Sequence, residues 1–220
     1  MRGVARVVAF DVSPPADCQA CSRLAQFRQA NRAAFPEWSN APVESFGDRD
    51  ARLLIVGLAP GLRGANRTGR PFTGDYAGDL LYATLIEFDF AAGVYERRPD
   101  DGLALKDCAI VNAVRCVPPE NKPTPAEITA CRPYLAGAIE GLPRLKAVVA
   151  LGRIAHDSVV RAFGQRLARY PFGHGACHAL EGAEVALFDS YHCSRYNTNT
   201  GVLTAPMFRA VFAAVRAHLA

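Results

Sequence analysis

Four short apolar runs define the hydrophobic pattern of the chain. They lie at 52–57, 108–114, 146–152 and 184–188, and the first run ends in Gly57, with Pro60 shortly after it. Continuous apolar runs of this length, without alternating polar residues, are typical of parallel strands buried on both faces. The pattern therefore predicts four central strands.

Segments with helical periodicity alternate with these runs. They cover 18–34, 76–88, 125–139, 154–163 and 204–219. Alternation of strands and helices predicts an α/β fold with three layers, α/β/α, around a mostly parallel four-stranded central sheet. We expect loops at 36–49, 91–101 and 168–178, which are rich in Gly, Pro and charge. A length of 220 residues fits a single domain spanning 1–220, with residues 1–15 expected to be flexible.

Composition limits the class of protein. Half of the residues are hydrophobic, which argues against disorder, and no stretch approaches the roughly 18 apolar residues of a membrane span. The apolar run at 4–10 is too short for a signal peptide and is followed by Asp11 and two prolines. Seven cysteines are an odd number and argue against a complete set of internal disulfides. We expect a cytoplasmic protein with reduced thiols. The net charge of +4 is compatible with a polyanionic partner but does not establish one.

Four of the cysteines form a candidate metal centre. Cys18 and Cys21 are separated by two residues, and Cys116 and Cys131 follow about a hundred residues later. Ligation by thiolates alone favours zinc or an iron–sulfur cluster. Four buried, reduced cysteines are the alternative, and the spacing alone does not decide between them.

The distinctive segments of the chain lie at or after the carboxyl ends of the predicted strands. They are 57–75, 115–125, 152–155 and 190–198. Ligands of open parallel sheets bind beyond these ends. The sequence therefore predicts one shared cleft.

Five segments, in order, resemble the uracil-DNA glycosylases that carry an iron–sulfur cluster, and most closely their type B, or family 5, branch. They read Gly57-Leu58-Ala59-Pro60-Gly61, Asn66-Arg67-Thr68-Gly69-Arg70-Pro71-Phe72-Thr73-Gly74-Asp75, then the segments at 115–125 (RCVPPENKPTP), 151–155 (LGRIA) and 190–198 (SYHCSRYNT). The resemblance implies a uracil-DNA glycosylase-like fold and a monomer that acts on DNA. It implies a monofunctional glycosylase that hydrolyses the N-glycosidic bond of uracil, and of other deaminated bases such as hypoxanthine, to initiate base excision repair.

The resemblance also implies the metal ligands. Cys18, Cys21, Cys116 and Cys131 would hold a structural [4Fe-4S] cluster, with structural zinc as the alternative. The cluster would fasten the N-terminal helix to the segment at 116–131. A catalytically inactive iron–sulfur or zinc module that binds nucleic acid is the rival interpretation of the whole chain.

Asp75 and His192 are the predicted catalytic residues. Asp75 lies at the start of a predicted helix and is also a favoured helix cap. The segment after the first strand contains no acid, and the resemblance assigns the acidic role, of aligning water and stabilising a cationic sugar, to Asp75. His192 would assist the departing base, supported by Asn197, although a histidine at a strand end is more often structural.

The predicted base-binding residues are Gly57, Ala59, Phe72, Asn112 and Asn121. The resemblance assigns Phe72 to stacking on an extruded base, although a core role is equally compatible with its local context. A side-chain amide offers the donor and acceptor that match the edge of uracil. Asn112 lies in an apolar strand, where burial without a partner is costly, and a structural hydrogen bond is the alternative.

The predicted DNA-backbone contacts are the polar and basic residues of the same loops. They are Arg63, Asn66, Arg67, Arg70, Lys122, Ser194 and Arg195. Solvated surface charge is the alternative for any one of them, and phosphate contacts position DNA without selecting sequence.

Three further features complete the sequence-based picture. Cys193 beside His192 departs from the family pattern, and alternation along an extended segment predicts that the two side chains face opposite ways. His174 is a weak site candidate, and Cys108 and Cys177 are expected to be buried or incidental thiols. No lysine occupies an evident site position, which argues against Schiff-base lyase chemistry.

Overall fold

A six-stranded sheet forms the centre of the fold. The computed structural model describes residues 13–220, and residues 1–12, which include most of the segment expected to be flexible, lie outside it. The strands, in chain order, are β1 Phe46–Gly47, β2 Leu53–Gly57, β5 Cys108–Asn112, β6 Ala147–Leu151, β7 Cys177–Ala179 and β8 Ala186–Ser190. Between β2 and β5, a separate hairpin pairs β3 Ala91–Ala92 with β4 Ala104–Leu105.

The strand order is β1-β5-β2-β6-β8-β7. The four predicted strands are the central parallel ones, β5, β2, β6 and β8, which confirms the predicted architecture. Two short antiparallel strands, β1 and β7, extend the sheet at its edges. The predicted number of four strands is therefore too low, because strands of two or three residues carry no recognisable periodicity.

Helices cover both faces of the sheet. They are α1 Ser22–Ala34, α2 Ala65–Thr68, α3 Tyr76–Glu87, α4 Pro125–Glu140, α5 Arg153–Ala162, α6 Arg195–Asn199 and α7 Ala205–Leu219, with short 3₁₀ turns at Pro119–Asn121 and Leu167–Arg169. Helix α4 begins with a capping box, in which the Thr124 hydroxyl accepts from the Glu127 N–H and the Glu127 carboxylate accepts from the Thr124 N–H. Helix α1 begins four residues later than predicted, because the chain at Cys21 is extended.

The core has two main layers, one on each face of the sheet. Alternate residues of β2 divide between them: Leu53 and Ile55 pack with α3 and α7, and Leu54 and Val56 pack with α4 and α5. All four side chains have no exposed surface. This burial on both faces explains the continuous apolar runs of the sequence.

No helix within residues 13–220 is long and apolar enough to cross a membrane.

Candidate active site and cysteine cluster

A cavity of about 610 Å³ opens beyond the carboxyl ends of the central strands. The loops that follow β2, β5 and β8 line it, as expected for an open parallel sheet. The cavity brings together both predicted catalytic residues and four of the five predicted base-binding residues. Its predicted members are Ala59, Phe72, Asp75, Asn112, Asn121, His192, Arg63, Ser194 and Arg195.

Gly57 lies behind two of the base-binding side chains. A Cβ atom on Gly57 would overlap Asn112 Oδ1 and would stand 2.6 Å from Phe72 Cζ. Gly57 and Asn112 are also register partners at the ends of β2 and β5. Glycine at this position therefore lets the amide and the ring converge at the cavity, and it does not itself line the cavity wall.

Phe72 belongs to the core and also lines the cavity. The side chain is 7% exposed and belongs to the core layer under α3. Its ring also lines the cavity and stacks against the His192 imidazole, with ring centroids 5.9 Å apart and an interplanar angle of 29°. Its backbone φ of +52° is in the left-handed region, which a bulky residue adopts only where the surroundings impose it.

Asn112 presents an unpaired amide to the cavity. The residue is 3% exposed, and within residues 13–220 its side chain makes no hydrogen bond. The predicted alternative, a structural hydrogen bond, is therefore absent from the described part of the chain. Asn121 is exposed and lines the cavity from the 3₁₀ turn, with a φ of +58°.

Asp75 is the N-cap residue of α3, but its carboxylate forms no capping hydrogen bond of good geometry. Its Oδ1 atom is buried without a hydrogen-bond partner among the described residues. Burial raises the pKa of Asp75, and the nearby N–H groups of Gly78 and Ala77 only partly oppose that rise. The site therefore holds a poorly solvated carboxylate with an open acceptor.

Two glycines make room for the Asp75 carboxylate. A Cβ atom on Gly61 would stand 2.9 Å from Asp75 Oδ2, and one on Gly64 would overlap the same oxygen. Both glycines belong to the loop after β2 and line the cavity. Gly64 was not predicted as a site residue, although the glycine-rich spacing of this loop is a signal in the sequence.

His192 is a neutral imidazole at neutral pH, because burial lowers its pKa to about 4. The Asn197 side-chain N–H donates to the His192 carbonyl at 2.8 Å, which confirms the predicted support of this loop. Cys193 has no exposed surface and packs in the core layer under α3 and α7. The predicted opposite orientation of the two side chains is confirmed.

Two of the predicted DNA contacts are wrong. Arg70 is 4% exposed and donates to both carboxylate oxygens of Asp101, at 2.9 and 2.8 Å. Asn66 is 1% exposed and donates to Asn40 at 2.9 Å. Both side chains therefore stabilise the loop from inside.

The other predicted DNA contacts are accessible. Arg63, Arg67, Lys122 and Arg195 are exposed, and Ser194 is half-buried. Arg195 also lies over the Tyr76 ring, 5.3 Å from its centroid, at the rim of the cavity. Tyr196, which follows Arg195 on α6, is 73% exposed and was not predicted as a site residue.

The four predicted metal ligands line one small second cavity. Cys18 and Cys21 precede α1, Cys116 follows β5 and Cys131 lies in α4. The Arg28 guanidinium donates to Cys116 Sγ at 3.5 Å, and the Arg115 N–H donates to Cys131 Sγ at 3.3 Å.

The buried charge of Arg28 indicates whether these thiols suit a metal centre. Its side chain is 2% exposed and forms no ion pair with a carboxylate in the described part of the chain. A buried cation requires a compensating negative charge. Burial raises the pKa of Cys116 to about 11 and Arg28 opposes that rise, so a bound metal would hold the sulfurs as thiolates and these would compensate the cation. The donor set therefore fits a metal centre ligated by thiolates.

A second group of potential ligands is an ion pair. His156 Nδ1 lies 2.7 Å from Asp189 Oδ1, and its Nε2 lies 2.8 Å from the Tyr170 carbonyl. Both partners are acceptors, so a doubly protonated imidazole can donate to each of them. Burial alone would lower the pKa of His156, but Asp189 and the Tyr170 carbonyl outweigh it and raise the pKa. His178 Nε2 completes the group, 3.4 Å from Asp189 Oδ2.

The remaining sequence candidates lie outside the main cavity. His174 Nδ1 accepts from the Tyr191 N–H at 3.1 Å, and the two rings stack. The structure gives His174 a role in holding the loop before His192. Cys108 is buried and Cys177 is exposed.

Comparison with known proteins agrees with the geometry. A family model for the Uracil DNA glycosylase superfamily matches residues 44–216. A type-5 uracil-DNA glycosylase of Thermus thermophilus is 46% identical over 200 residues, which cover 88% of this chain and 90% of that protein. A type-5 uracil-DNA glycosylase of Pyrobaculum aerophilum is 37% identical over 192 residues, covering 86% and 83%. A type-4 uracil-DNA glycosylase of the same organism is 29% identical over 188 residues, covering 84% and 85%. These matches confirm the predicted family and enzyme class. The chain therefore belongs to the uracil DNA glycosylase superfamily and, within it, to the type-5 uracil-DNA glycosylases.

Proposed function

We propose that this protein hydrolyses the N-glycosidic bond of uracil, and of other deaminated bases such as hypoxanthine, in DNA, and so initiates base excision repair. The observation that carries the proposal is an unpartnered oxygen of Asp75 in the same cavity as the unpaired Asn112 amide. The Asp75 oxygen is costly to bury without a partner, and the Asn112 amide faces the cavity, so a nucleotide together with an attacking water would supply partners for both groups.

Asp75 serves as the acceptor for the water. The water oxygen forms the new bond to C1′ of the sugar, the N-glycosidic bond breaks, and its electron pair leaves with the base. The carboxylate takes a proton from the water and stabilises the cationic character of the sugar. Burial raises the pKa of Asp75 towards the range of effective general bases.

His192 stabilises the departing base as a neutral donor. A pKa of about 4 leaves the imidazole uncharged at pH 7. One ring N–H can then donate a hydrogen bond to an oxygen of the base as negative charge develops on it. The stacking of His192 on Phe72 fixes the plane of the imidazole at the cavity wall.

Base recognition combines stacking with hydrogen bonding. The Phe72 ring offers a π face to any base, and the Asn112 amide offers a donor and an acceptor to the base edge. A cavity of about 610 Å³ lies within the usual range for small-molecule sites, about 300–1,000 Å³. Its volume supports a bicyclic purine such as hypoxanthine as well as uracil.

DNA is held by the accessible basic and polar residues at the rim. They are Arg63, Arg67, Lys122, Ser194 and Arg195. Contacts of this type bind phosphates without selecting sequence. Among residues 13–220 no lysine lines the cavity, which supports a monofunctional hydrolase.

A [4Fe-4S] cluster held by Cys18, Cys21, Cys116 and Cys131 completes the proposal. When bound, the cluster contributes structural stability by joining α1 to α4 and to the segment after β5. A single tetrahedral zinc ion requires four sulfur atoms close together, because each Zn–S bond is about 2.3 Å long. Among the described residues, only His156, His178 and Asp189 have ligand atoms that all lie within 4.8 Å of one another. The sulfur atoms of the four cysteines lie too far apart to meet this limit. This spacing favours the larger cluster. A monomer located in the cytoplasm remains part of the proposal.

A cleavage panel tests the function. Duplex oligonucleotides carrying uracil, hypoxanthine or xanthine are incubated with the protein, and half of each sample is then treated with alkali. We expect strand breaks at uracil and hypoxanthine only after alkali, and none with an Asp75→Ala/His192→Ala protein purified in parallel. Absence of breaks at every base would overturn the proposal, and breaks without alkali would overturn its monofunctional part.

A further inference from the structure

The loop at 93–103, which joins β3 to β4, contacts the turn that carries Phe72 and Asp75. Tyr95 makes the central contact. Its hydroxyl donates to the Phe72 carbonyl at 3.0 Å and accepts from the Gly74 N–H at 3.4 Å. One side chain therefore bonds the backbone on both sides of Thr73, between the stacking residue and the catalytic acid.

This contact holds a backbone conformation that Phe72 would not adopt alone. The φ of +52° at Phe72 places a bulky side chain in the left-handed region. A second tyrosine braces the same turn, because the Tyr82 hydroxyl donates to the Pro71 carbonyl at 2.6 Å. The Tyr82 and Tyr95 rings lie 4.6 Å apart, so the two phenols form one unit.

Gly78 shows how closely Tyr95 approaches this turn. A Cβ atom on Gly78 would overlap both the Phe72 carbonyl oxygen and the Tyr95 hydroxyl oxygen. Glycine in the first turn of α3 therefore allows the hydrogen bond from Tyr95 to form.

The same loop has two further anchors, one on the turn and one on α3. Asp101 accepts from the Arg70 guanidinium at 2.9 and 2.8 Å, and the buried Arg70 Nε donates to Thr73 Oγ1 at 2.7 Å. At the outer side, Arg97 donates to Asp79 of α3 at 2.8 Å. Loop and turn therefore form one hydrogen-bonded unit.

We propose that Tyr95 is a positioning residue for base excision, acting through Phe72. By fixing the Phe72 carbonyl and the Gly74 N–H on either side of Thr73, the Tyr95 hydroxyl sets the direction of the Phe72 ring. Tyr95 does not line the cavity, and its effect on the reaction passes through the turn. The inference rests on the stacking role proposed for Phe72.

A double-mutant cycle tests the inference by single-turnover cleavage of a uracil oligonucleotide. Tyr95→Phe removes the hydroxyl and keeps the ring, and we expect it to slow cleavage about 3- to 10-fold. Phe72→Ala should slow cleavage by about 10-fold or more. In the Phe72→Ala background, Tyr95→Phe should change the rate by less than about 2-fold, because its effect requires the ring.

Tyr170→Phe is the matched control. The Tyr170 hydroxyl also bonds the backbone, accepting from the Glu181 N–H at 3.1 Å, but it lies away from the cavity. This variant should cleave at the wild-type rate. The inference fails if Tyr95→Phe is fully active, if it slows cleavage equally with and without the Phe72 ring, or if Tyr170→Phe is equally slow. A wild-type rate for Phe72→Ala would overturn the stacking role itself, and this inference with it.

Discussion

A methyl group on Gly61 would stand 2.9 Å from Asp75 Oδ2, and the next nearest atom it would meet is the Cγ of the same carboxylate, at 3.9 Å. A side chain at Gly61 would therefore meet the proposed catalytic carboxylate and no other group. Because real Cβ atoms do not tolerate so close an approach, any side chain at Gly61 must displace the carboxylate.

The first prediction follows from this relationship. Gly61→Ala should slow single-turnover cleavage of uracil DNA by about 10-fold, because a small misplacement of a catalytic group has a large effect on rate. In an Asp75→Ala background the same substitution should change nothing further. Gly173→Ala is the control, since its added Cβ would meet only Ala176, at 3.8 Å. Full activity of Gly61→Ala would show that the carboxylate position is not critical.

The second prediction concerns base selectivity. Asn112→Ala should reduce excision of uracil more than excision of hypoxanthine, because the uracil edge depends most on a paired donor and acceptor. The expected loss corresponds to about 1–3 kcal/mol. Stability should not fall, because no group within residues 13–220 loses a hydrogen bond when the amide is removed. Cleavage rates on uracil and hypoxanthine substrates check the selectivity, and urea unfolding checks the stability.

Asn40 provides the control for Asn112. It is also buried, but its amide donates to the Asn31 and Phe35 carbonyls. Asn40→Ala should therefore lower stability and leave the ratio of uracil to hypoxanthine excision unchanged. Equal loss on both bases in Asn112→Ala would mean that Asn112 supports the loop without reading the base.

The third prediction concerns pH. The folded-state pKa of His192, about 4, is below its unfolded value of 6.5. Between these values the unfolded chain binds more protons, so this histidine makes stability fall as pH decreases from about 6.5 towards 4. His192→Asn should flatten the pH dependence of the unfolding free energy in that window.

His156 should act with the opposite sign. Its folded-state pKa is raised above 6.5, so its contribution is fully present below 6.5 and is lost as pH rises through the folded value. In the wild type, the unfolding free energy should therefore fall as pH rises through the folded-state pKa of His156. In His156→Asn this fall should be absent. Urea titrations across pH 4.5–9 separate the two, and an unchanged profile in either variant would contradict its assignment.

The fourth prediction concerns the cysteine cluster. Purified without air, the protein should be yellow-brown and contain about four irons per chain. Cys116→Ser should remove the colour and lower stability, whereas Cys177→Ser, at an exposed cysteine outside the cluster, should keep both. Stoichiometric zinc without iron would contradict the assignment.

The sequence predicts the centre of this molecule better than its edges. The four parallel strands are predictable because burial on both faces makes β2, β5, β6 and β8 continuously apolar. Strands β1 and β7 were not predicted, since at their lengths packing against a longer strand determines the conformation. Asn112 was a site candidate because an amide is conspicuous in an apolar run.

Long-range partners account for the errors at the site. Arg70 resembles a surface cation in the sequence, but its partner Asp101 lies 31 residues later, in a loop with no pattern that predicts the pairing. The role of Tyr95 is hidden for the same reason, because it depends on a turn 23 residues earlier. Such contacts are set by how the loops pack together.

Asp75→Ala tests the central claim most directly, with single-turnover cleavage and thermal unfolding measured on the same protein. We predict cleavage slower by about 100-fold or more. Stability should change little, because the Gly78 and Ala77 N–H groups interact with Asp75 without a capping hydrogen bond of good geometry, and one carboxylate oxygen is buried without a partner. A protein destabilised by about 0.5–2 kcal/mol that retains full activity would show that Asp75 is only a helix cap, and would contradict the proposed mechanism.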